Sequence, residues 1–346
     1  MSAVPAELAR LGWDDERAAE AAARVEPNDV VGRVGRVDRG WITVFTGRKP
    51  LRARAAGLGR HRDPMRRPAV GDWVIVRGDA LVEVLPRRSA LVRGVTEGGT
   101  DAAAAQVVAA NVDRVFIVHA IDVPLRARRL ERELVVVHDA GAEPVVVLTK
   151  AELVDDVDAR VGAARAVVGS VAVHAVSART TAGMDALRAS VEPGRTVAII
   201  GPSGAGKSTL INGFVGEELL PTGEVRENDR RGRHTTVARD LVLLDSGGIV
   251  VDTPGLRSVG LWDSDDGFEE AFADVEALAR DCRFADCLHR SEPGCAVRAA
   301  VARGDLDEDR VDAYVHLDAE LDRLADREVE RDREERRRAN QRPRPS

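Results

Sequence analysis

The sequence predicts a multidomain chain with a small all-β, OB-like barrel, an α/β core built on a parallel sheet, and a helical C-terminal module. Short β-type runs separated by glycines precede residue 92, long β-branched runs alternate with helical segments up to about residue 265, and a helical pattern with all three cysteines follows. The predicted boundaries are 1–27 for an N-terminal helical extension, 28–92 for the barrel, 93–265 for the α/β core, 266–325 for the C-terminal module and 326–346 for a charged tail.

The barrel prediction rests on four runs, VVGRVGRV, WITVF, GDWVIVRGD and ALVEVLP, in about 65 residues. An OB-like barrel of this size is a common reader of RNA; an SH3-like barrel or a plain structural sheet are the alternatives. Residues 28–92 carry 14 Arg and Lys against 6 Asp and Glu, a local charge of +8, so the rest of the −7 chain carries −15. This asymmetry indicates a polyanion-binding module, although a solvated surface in an arginine-rich chain would give the same count.

The bulk composition excludes a membrane protein. Hydrophobic residues make up 44% and charged residues 32% of the 346 positions, which is typical of a globular protein. No run approaches the ~20 apolar residues of a spanning helix, and the N-terminus lacks the basic and apolar regions of a signal peptide. We therefore expect a cytoplasmic protein without a membrane partner.

A phosphate-binding loop follows the apolar run TVAII. Residues 201–208, GPSGAGKS, match G-x-x-x-x-G-K-[ST] in full and precede a helix-like segment, as this motif requires. Its backbone amides and the helix N-terminus cradle phosphates. Lys207 is expected to bridge the β- and γ-phosphates and Ser208 to hold Mg²⁺. The predicted nucleotide contacts in this loop are Gly201, Gly204, Gly206, Lys207, Ser208 and Thr209.

Two further segments are predicted to contact Mg²⁺ and the γ-phosphate and so to respond to the state of the nucleotide. The sequence DTPG, from Asp252 to Gly255, ends the run GGIVV some 45 residues after the loop. The Asp252 carboxylate is expected to reach Mg²⁺ through water, and the Gly255 amide to meet the γ-phosphate. A threonine between the two motifs normally completes the Mg²⁺ shell, and the spacing leaves Thr235 and Thr236 as alternatives.

The guanine-recognition motifs come before the phosphate loop. Thr149, Lys150 and Glu152 end the run EPVVVL and resemble [NT]-K-x-D, with Glu in place of Asp. Ser177 and Ala178 follow VAVHAV and resemble the S-A motif that contacts the guanine oxygen. GTPases ordinarily carry both motifs after the loop, so the order here predicts a circularly permuted P-loop GTPase core.

A cysteine-rich segment predicts a metal site in the C-terminal module. Cys282, Cys287, His289 and Cys295 lie within one short stretch. Three thiolates and one imidazole form a closed tetrahedral shell for a structural Zn²⁺, one per chain, with no open position for zinc chemistry. Unpaired buried cysteines are the alternative.

The order of these motifs, together with the stretch AANVDRVFIV, resembles the bacterial ribosome small-subunit-dependent GTPase A family over residues 28–325. The resemblance implies an OB-fold, a GTPase core and a zinc module that clasp ribosomal RNA, with hydrolysis of Mg²⁺-bound GTP to GDP stimulated by the small ribosomal subunit during late assembly. We expect a monomer. Glu152 departs from the family's Asp.

Leu256 stands where many GTPases carry a water-orienting glutamine. Leucine cannot hydrogen-bond water, so intrinsic turnover is expected to be slow. His234 is the candidate for positioning the attacking water, and a surface residue of the switch is the alternative. Two rival functions stay open: a P-loop ATPase or kinase, and a nucleotide-gated RNA-binding module with negligible catalysis.

Overall fold

The computed structural model describes residues 5–38, 40–47, 49–55, 57–61, 63–96, 103–202, 204–215, 240–252, 268, 271–284 and 287–319. The chain divides into two compact units. The first comprises Met1–Ala127 and Ala140–Gly260, and the second comprises Arg128–Asp139 and Leu261–Ser346. The domain boundaries predicted from the sequence stay predictions.

The first unit begins with two short helices, α1 (Ala6–Ala9) and α2 (Asp15–Ala22). Helix α2 is capped by Asp14, whose side chain accepts a hydrogen bond from the Arg17 amide at 2.8 Å. Between the helices, Trp13 packs edge-on against Trp73 of the barrel, with ring centroids 4.7 Å apart. The N-terminal helices are therefore part of the packed unit.

The predicted barrel is confirmed as a closed, OB-like sheet of five strands. The strands are β1 (Val30–Asp38), β2 (Trp41–Phe45), β3 (Leu51–Arg54), β4 (Trp73–Arg77) and β5 (Ala80–Val84). Their order is β1-β2-β3-β5-β4, and β4 pairs back with β1. Alternate side chains such as Val34, Ile42, Ala53 and Val74 fill the interior, because successive strand residues point to opposite faces.

An arginine network joins the N-terminal helices to the barrel and to the start of the α/β core. The buried Arg33 guanidinium donates hydrogen bonds to the carbonyl oxygens of Leu11 at 2.6 Å, Gly71 at 3.1 Å and Asn111 at 2.8 Å. Burial lowers the pKa of Arg33 to about 10, so it stays charged at neutral pH. Arg17 donates to the Asn111 side chain at 2.5 Å. Asn111, at the start of the α/β core, is therefore hydrogen-bonded to Arg17 of the N-terminal helices and to Arg33 of the barrel.

The remaining strands and helices of the α/β core follow. A hairpin is formed by β6 (Ala90–Thr96) and β7 (Ala103–Ala110). The main sheet contains β8 (Arg114–Ala120), β9 (Glu143–Thr149), β10 (Ala172–Ala175), β11 (Thr196–Ile200), β12 (Asp240–Leu243) and β13 (Ile249–Asp252). The helices are α4 (Val157–Val168), α5 (Met184–Ala189) and α6 (Lys207–Val215). Helix α3 (Ala127–Asp139) follows β8 in the chain but belongs, from Arg128 on, to the second unit.

The main sheet has the order β10-β9-β8-β11-β13-β12, parallel except for β12. Its central strands are buried along nearly their whole length, as continuous β-branched runs require when both sheet faces are covered. Strand β12 also pairs with β1 at Arg36, so the barrel and the main sheet form one eleven-stranded sheet.

The second unit contains α3, α7 (Ala273–Ala279), α8 (Ala296–Arg303) and a helix α9 over residues 308–319. Phe268, Phe272 and Tyr314 pack together with ring centroids 4.9–5.5 Å apart. The Arg310 guanidinium lies 4.3 Å from the Phe272 ring centroid and 3.3 Å from the buried Glu131 of α3. Among the described residues, no helix has the length and apolarity needed to cross a bilayer.

Candidate nucleotide and metal sites

The phosphate loop connects β11 to α6, as predicted. Gly201, Gly204 and Gly206 have φ angles of +135°, +80° and +84°, which residues that carry a side chain rarely adopt. A Cβ atom on Gly201 would lie 2.1 Å from the Val118 carbonyl oxygen, so the loop has no room for one. These glycines let the backbone turn tightly into the helix N-terminus, where amide groups face anions.

The described functional side chains of this loop lie at the start of α6. The Lys207 ammonium donates hydrogen bonds to the carbonyl oxygens of Gly201 at 2.8 Å and Pro202 at 2.6 Å. Its positive charge is therefore held over the loop where phosphates would be cradled. Ser208 and Thr209 follow in the first helical turn and are exposed.

The base loop is tied to the phosphate loop by Thr149. This buried residue ends β9, and its hydroxyl donates to the Ala205 carbonyl oxygen at 2.6 Å, with the His119 carbonyl oxygen at 3.2 Å. Ala205 itself belongs to the phosphate loop. One side chain thus fixes the distance between the end of β9 and the loop.

Lys150 has a left-handed backbone, with φ 60° and ψ 36°. Its ammonium lies 3.8 Å from a carboxylate oxygen of Asp122, which follows β8. Asp122 was not singled out in the sequence because no motif marks it. The only available signal was its position just beyond the end of a buried parallel strand, where ligands of such sheets bind.

Glu152 and Ser177 come together although 25 positions separate them. The Ser177 hydroxyl donates a hydrogen bond to the Glu152 carboxylate, which is the main cause of the lowered pKa of Glu152. Ser177 is fully buried and also accepts from the Thr180 amide at 3.0 Å. Ala178 packs against the core beside it. The two predicted base motifs therefore form one surface, with an ionised carboxylate at neutral pH.

The switch residues are described only in part. The backbone of Asp252 ends β13, opposite Asp240 of β12. His234, Thr235, Thr236, Gly255 and Leu256 lie outside the described residues. Their roles stay predictions.

Cys282, Cys287, His289 and Cys295 converge in the second unit with their ligand atoms within 4.8 Å of one another. The Cys282 and Cys295 sulfurs are 3.8 Å apart, and His289 Nδ1 lies 3.6 Å and 3.5 Å from them. A tetrahedral zinc with bonds of about 2.3 Å to sulfur and about 2.0 Å to nitrogen requires S–S edges of roughly 3.8 Å and S–N edges of roughly 3.5 Å. The separations among Cys282, His289 and Cys295 therefore match a zinc shell, and Cys287 lies close enough to complete a group that could hold a metal ion.

Backbone amides donate hydrogen bonds to two of the sulfurs in the cluster, whereas burial raises the pKa of the Cys287 thiol to about 11. The Ala296 amide donates to the Cys282 sulfur at 3.3 Å, and the Arg298 amide donates to the Cys295 sulfur at 3.4 Å. Such N–H donors stabilise negative sulfur and orient ligands around a metal. The Arg298 side chain also donates to the His289 carbonyl oxygen at 2.6 Å, which fixes the backbone of the ligand. All three cysteines are free thiols.

Arg87 holds part of the loop between β3 and β4 against the barrel. Arg87 donates to both carboxylate oxygens of Asp72 at 2.7 Å, and to the carbonyl oxygens of Met65 at 2.5 Å and Arg67 at 2.8 Å. Arg66, between these carbonyl groups, is exposed. The Arg66 side chain therefore faces solvent beside backbone groups that Arg87 holds.

Comparison with known proteins places this geometry in a family. The family model described as RsgA GTPase matches residues 84–262. The small ribosomal subunit biogenesis GTPase RsgA of Streptomyces avermitilis is 44% identical over 324 residues, covering 92% of this chain and 86% of that protein. The protein of the same name from Streptomyces coelicolor is 42% identical, covering 92% of this chain and 87% of its own length.

Solved structures agree with the fold. YjeQ from Thermotoga maritima has a TM-score of 0.61 and 27% identity, covering 85% of this chain and 98% of its own. YloQ, described as a circularly permuted GTPase, has a TM-score of 0.59 and 25% identity, covering 88% of this chain and 98% of its own. The phosphate loop follows β11, and the base loops follow β9 and β10. Together with this arrangement, the family model and the curated relatives show that the chain belongs to the RsgA GTPase family.

Proposed function

We propose that this protein hydrolyses GTP and couples the hydrolysis to late maturation of the small ribosomal subunit. The most direct support is the hydrogen bond from Thr149 to Ala205, which joins the base loop to the phosphate loop in a chain of the RsgA GTPase family. The curated relatives are named as small ribosomal subunit biogenesis GTPases.

In the proposed site, Glu152 accepts hydrogen bonds from the guanine N1–H and N2–H₂ groups, and Lys150 packs along the base. The Ser177 hydroxyl donates to the ionised carboxylate and holds it in place. Asp122 holds the Lys150 side chain through its charge. Ala178 contributes its backbone amide to the guanine oxygen. Glu has one methylene more than the usual Asp, and the bond from Ser177 is what positions the longer side chain.

The phosphate groups are bound by the glycine loop and by Lys207 and Thr209 in the first turn of α6. Magnesium would be held by Ser208, one of Thr235 and Thr236, and Asp252, and it would neutralise charge on the phosphates. Ser208 fits this role because its hydroxyl is exposed one residue beyond Lys207. His234 positions the attacking water, since Leu256 cannot.

Zinc would be held by the Cys₃His cluster, in which the separations among Cys282, His289 and Cys295 match the edges of a tetrahedral shell. We assign it a structural role, because all four positions are filled by protein ligands. Binding to ribosomal RNA through the basic barrel, a monomeric state and a cytoplasmic location complete the proposal.

The deciding experiment measures GTP hydrolysis with and without purified small subunits, at equal Mg²⁺. Unstimulated GTPases turn over at about 10⁻⁴ to 10⁻² s⁻¹, and a partner can raise this by about 10³- to 10⁵-fold. Lys207→Ala is expected to abolish hydrolysis without unfolding the protein. A wild-type rate that small subunits leave unchanged would contradict the assembly role and favour a nucleotide-gated binding module.

Base selectivity separates a GTPase from an ATPase or kinase. Glu152→Ala is expected to weaken GTP binding, and Glu152→Asn to shift preference toward xanthosine nucleotides, because the amide presents a donor where the carboxylate presents an acceptor. Equal affinity of the wild type for ATP and GTP would contradict the guanine site.

A further inference from the structure

We infer that the outward face of β1, β2 and β3 binds single-stranded RNA, with Trp41 and Arg52 as a stacked base-binding pair. The inference rests on the proposed function and assigns its RNA contact to one face of the barrel. We call this surface the Trp41 face. It consists of Arg36, Asp38, Trp41, Thr43, Arg52 and Arg54.

The strand register defines this face. One row across the three strands is Asp38, Trp41 and Arg54, and a second row is Arg36, Thr43 and Arg52. The row between them is Val37, Ile42 and Ala53, and its last two members are fully buried in the barrel core. Because side chains alternate between faces, the two outer rows point away from that core.

Trp41 is not needed to fill the barrel. Ile42 and Ala53, which form the adjacent row, fill the barrel interior on the opposite face of the sheet. By contrast, Trp13 and Trp73 pack against each other in the core. Trp41 remains only partly covered in a chain with 3% aromatic residues. An aromatic ring on an outward strand face offers a flat surface for a nucleobase.

Arg52 makes this surface larger. Its guanidinium lies 5.5 Å from the centroid of the Trp41 ring, within the range of a cation–π contact. The Arg52 side chain is 63% exposed, and its contact with Asp38 is long, at 3.7 Å. A guanidinium plane is itself a stacking surface for RNA bases. The pair therefore presents an aromatic ring and a charged plane side by side.

The charge of the face favours a polyanion. It carries three arginines against Asp38, and Arg54 pairs with Asp79 of the adjacent β4–β5 turn at 2.9 Å. Both members of that pair are more than half exposed, so the pair is weak and a phosphate group can compete for Arg54. An exposed ring among arginines is suited to unpaired bases with phosphates, whereas duplex RNA buries its bases.

The experiment measures fluorescence anisotropy of the full-length protein with a fluorescein-labelled 12-nucleotide oligouridine RNA. Trp41→Leu is expected to weaken binding about 5- to 150-fold, the range measured for one stacked base. Trp41→Phe keeps an aromatic ring and is expected to retain most of the affinity. Arg160→Ala is the control, because it removes an exposed arginine from α4, off the barrel.

Arg52 provides an independent measurement. Arg52→Lys keeps the charge and loses the plane, so we expect weaker binding with an unchanged salt dependence. Arg52→Ala is expected to reduce the slope of log affinity against log salt by about 0.7, the value of one phosphate contact on a single strand. Thermal unfolding of each variant checks that the barrel is intact.

Oligouridine affinity of Trp41→Leu within twofold of Arg160→Ala would overturn the inference. If Trp41→Leu lost affinity for small subunits but kept its affinity for oligouridine, the Trp41 face would contact a protein and not RNA, which would also overturn the inference. Wild-type GTP hydrolysis with small subunits, measured in parallel, reports on the proposed function alone. A wild type that subunits fail to stimulate would refute that function, even with oligouridine binding dependent on Trp41.

Discussion

Replacing Thr149 by valine removes one hydroxyl group and nearly nothing else from the nucleotide site. The hydroxyl donates to the Ala205 carbonyl oxygen at 2.6 Å, and this bond joins the end of β9 to the phosphate loop. Valine has the same shape, so the core around it should keep its packing. The variant therefore measures the contribution of this hydrogen bond.

The size of the effect follows from burial. Thr149 is 5% exposed, so water cannot replace the lost donor. An unsatisfied buried partner costs about 1–3 kcal/mol. If the bond mainly aligns the two loops for GTP, the same free energy appears as a loss of affinity of about 5- to 150-fold. If it mainly stabilises the fold, the loss appears in the free energy of unfolding instead.

The assay is isothermal titration with a non-hydrolysable GTP analogue, paired with urea unfolding of the unliganded protein. Thr196→Val is the matched control. Thr196 is fully buried in β11, and among the described residues its hydroxyl has no hydrogen-bond partner. Removing that hydroxyl is expected to leave affinity unchanged and to leave stability equal or higher. Thr149→Ser should restore most of the wild-type affinity.

Two results would refute this reasoning. One is a Thr149→Val protein with wild-type GTP affinity and wild-type stability, which would mean that the hydrogen bond contributes nothing. The other is an equal loss of affinity in Thr196→Val. That result would mean that the loss in Thr149→Val comes from replacing a buried threonine and not from removing its bond to Ala205.

Three further predictions concern the metal, a carboxylate pKa and the lysine of the base site. Cys287→Ser or chelation is expected to unfold the second unit and spare the sheet, since structural zinc binding supplies about 10–16 kcal/mol of folding energy in small modules; hydrogen exchange locates the loss, and purified protein without zinc would contradict it. A hydrogen bond from Arg88 holds the pKa of Asp14 at about 2, below its ordinary 3.8. A depressed carboxyl pKa stabilises the fold above pH 3.8, so the stability difference between wild type and Asp14→Asn should shrink as pH falls toward 2; urea unfolding at each pH measures it, and a constant difference would count against the ion pair. Asp122→Asn is expected to weaken GTP binding up to about fivefold, the range of an exposed ion pair, and a changed turnover at unchanged affinity would exclude a positioning role.

The features that the sequence predicted on its own are local in the chain. The phosphate loop lies within residues 201–208, and the positive φ angles of its turn favour the glycines that make up the motif. The four zinc ligands lie within residues 282–295, so a short segment brings them together. The parallel sheet was visible because strands buried on both faces need continuous β-branched runs. Each of these patterns can be recognised without knowing what lies elsewhere in the fold.

Strand pairing was decided by the tertiary structure. The run LRAR of β3 has no β-branched residue and gave no strand signal, yet it pairs with β2 and β5 and completes the barrel. Strand propensity depends mainly on the surface that the partner strands offer. The same pairing places Arg52 over Trp41, a contact that no spacing in the sequence indicates.

Long-range polar contacts also needed the folded chain. Asp122 meets Lys150, Ser177 meets Glu152, and Thr149 meets Ala205 only because the ends of adjacent parallel strands converge at one edge of the sheet. The sequence determined which chemical groups are available for phosphate, guanine and zinc. The tertiary structure decided which of them touch, because hydrogen bonds and ion pairs act over a few ångströms in space, whatever the separation along the chain.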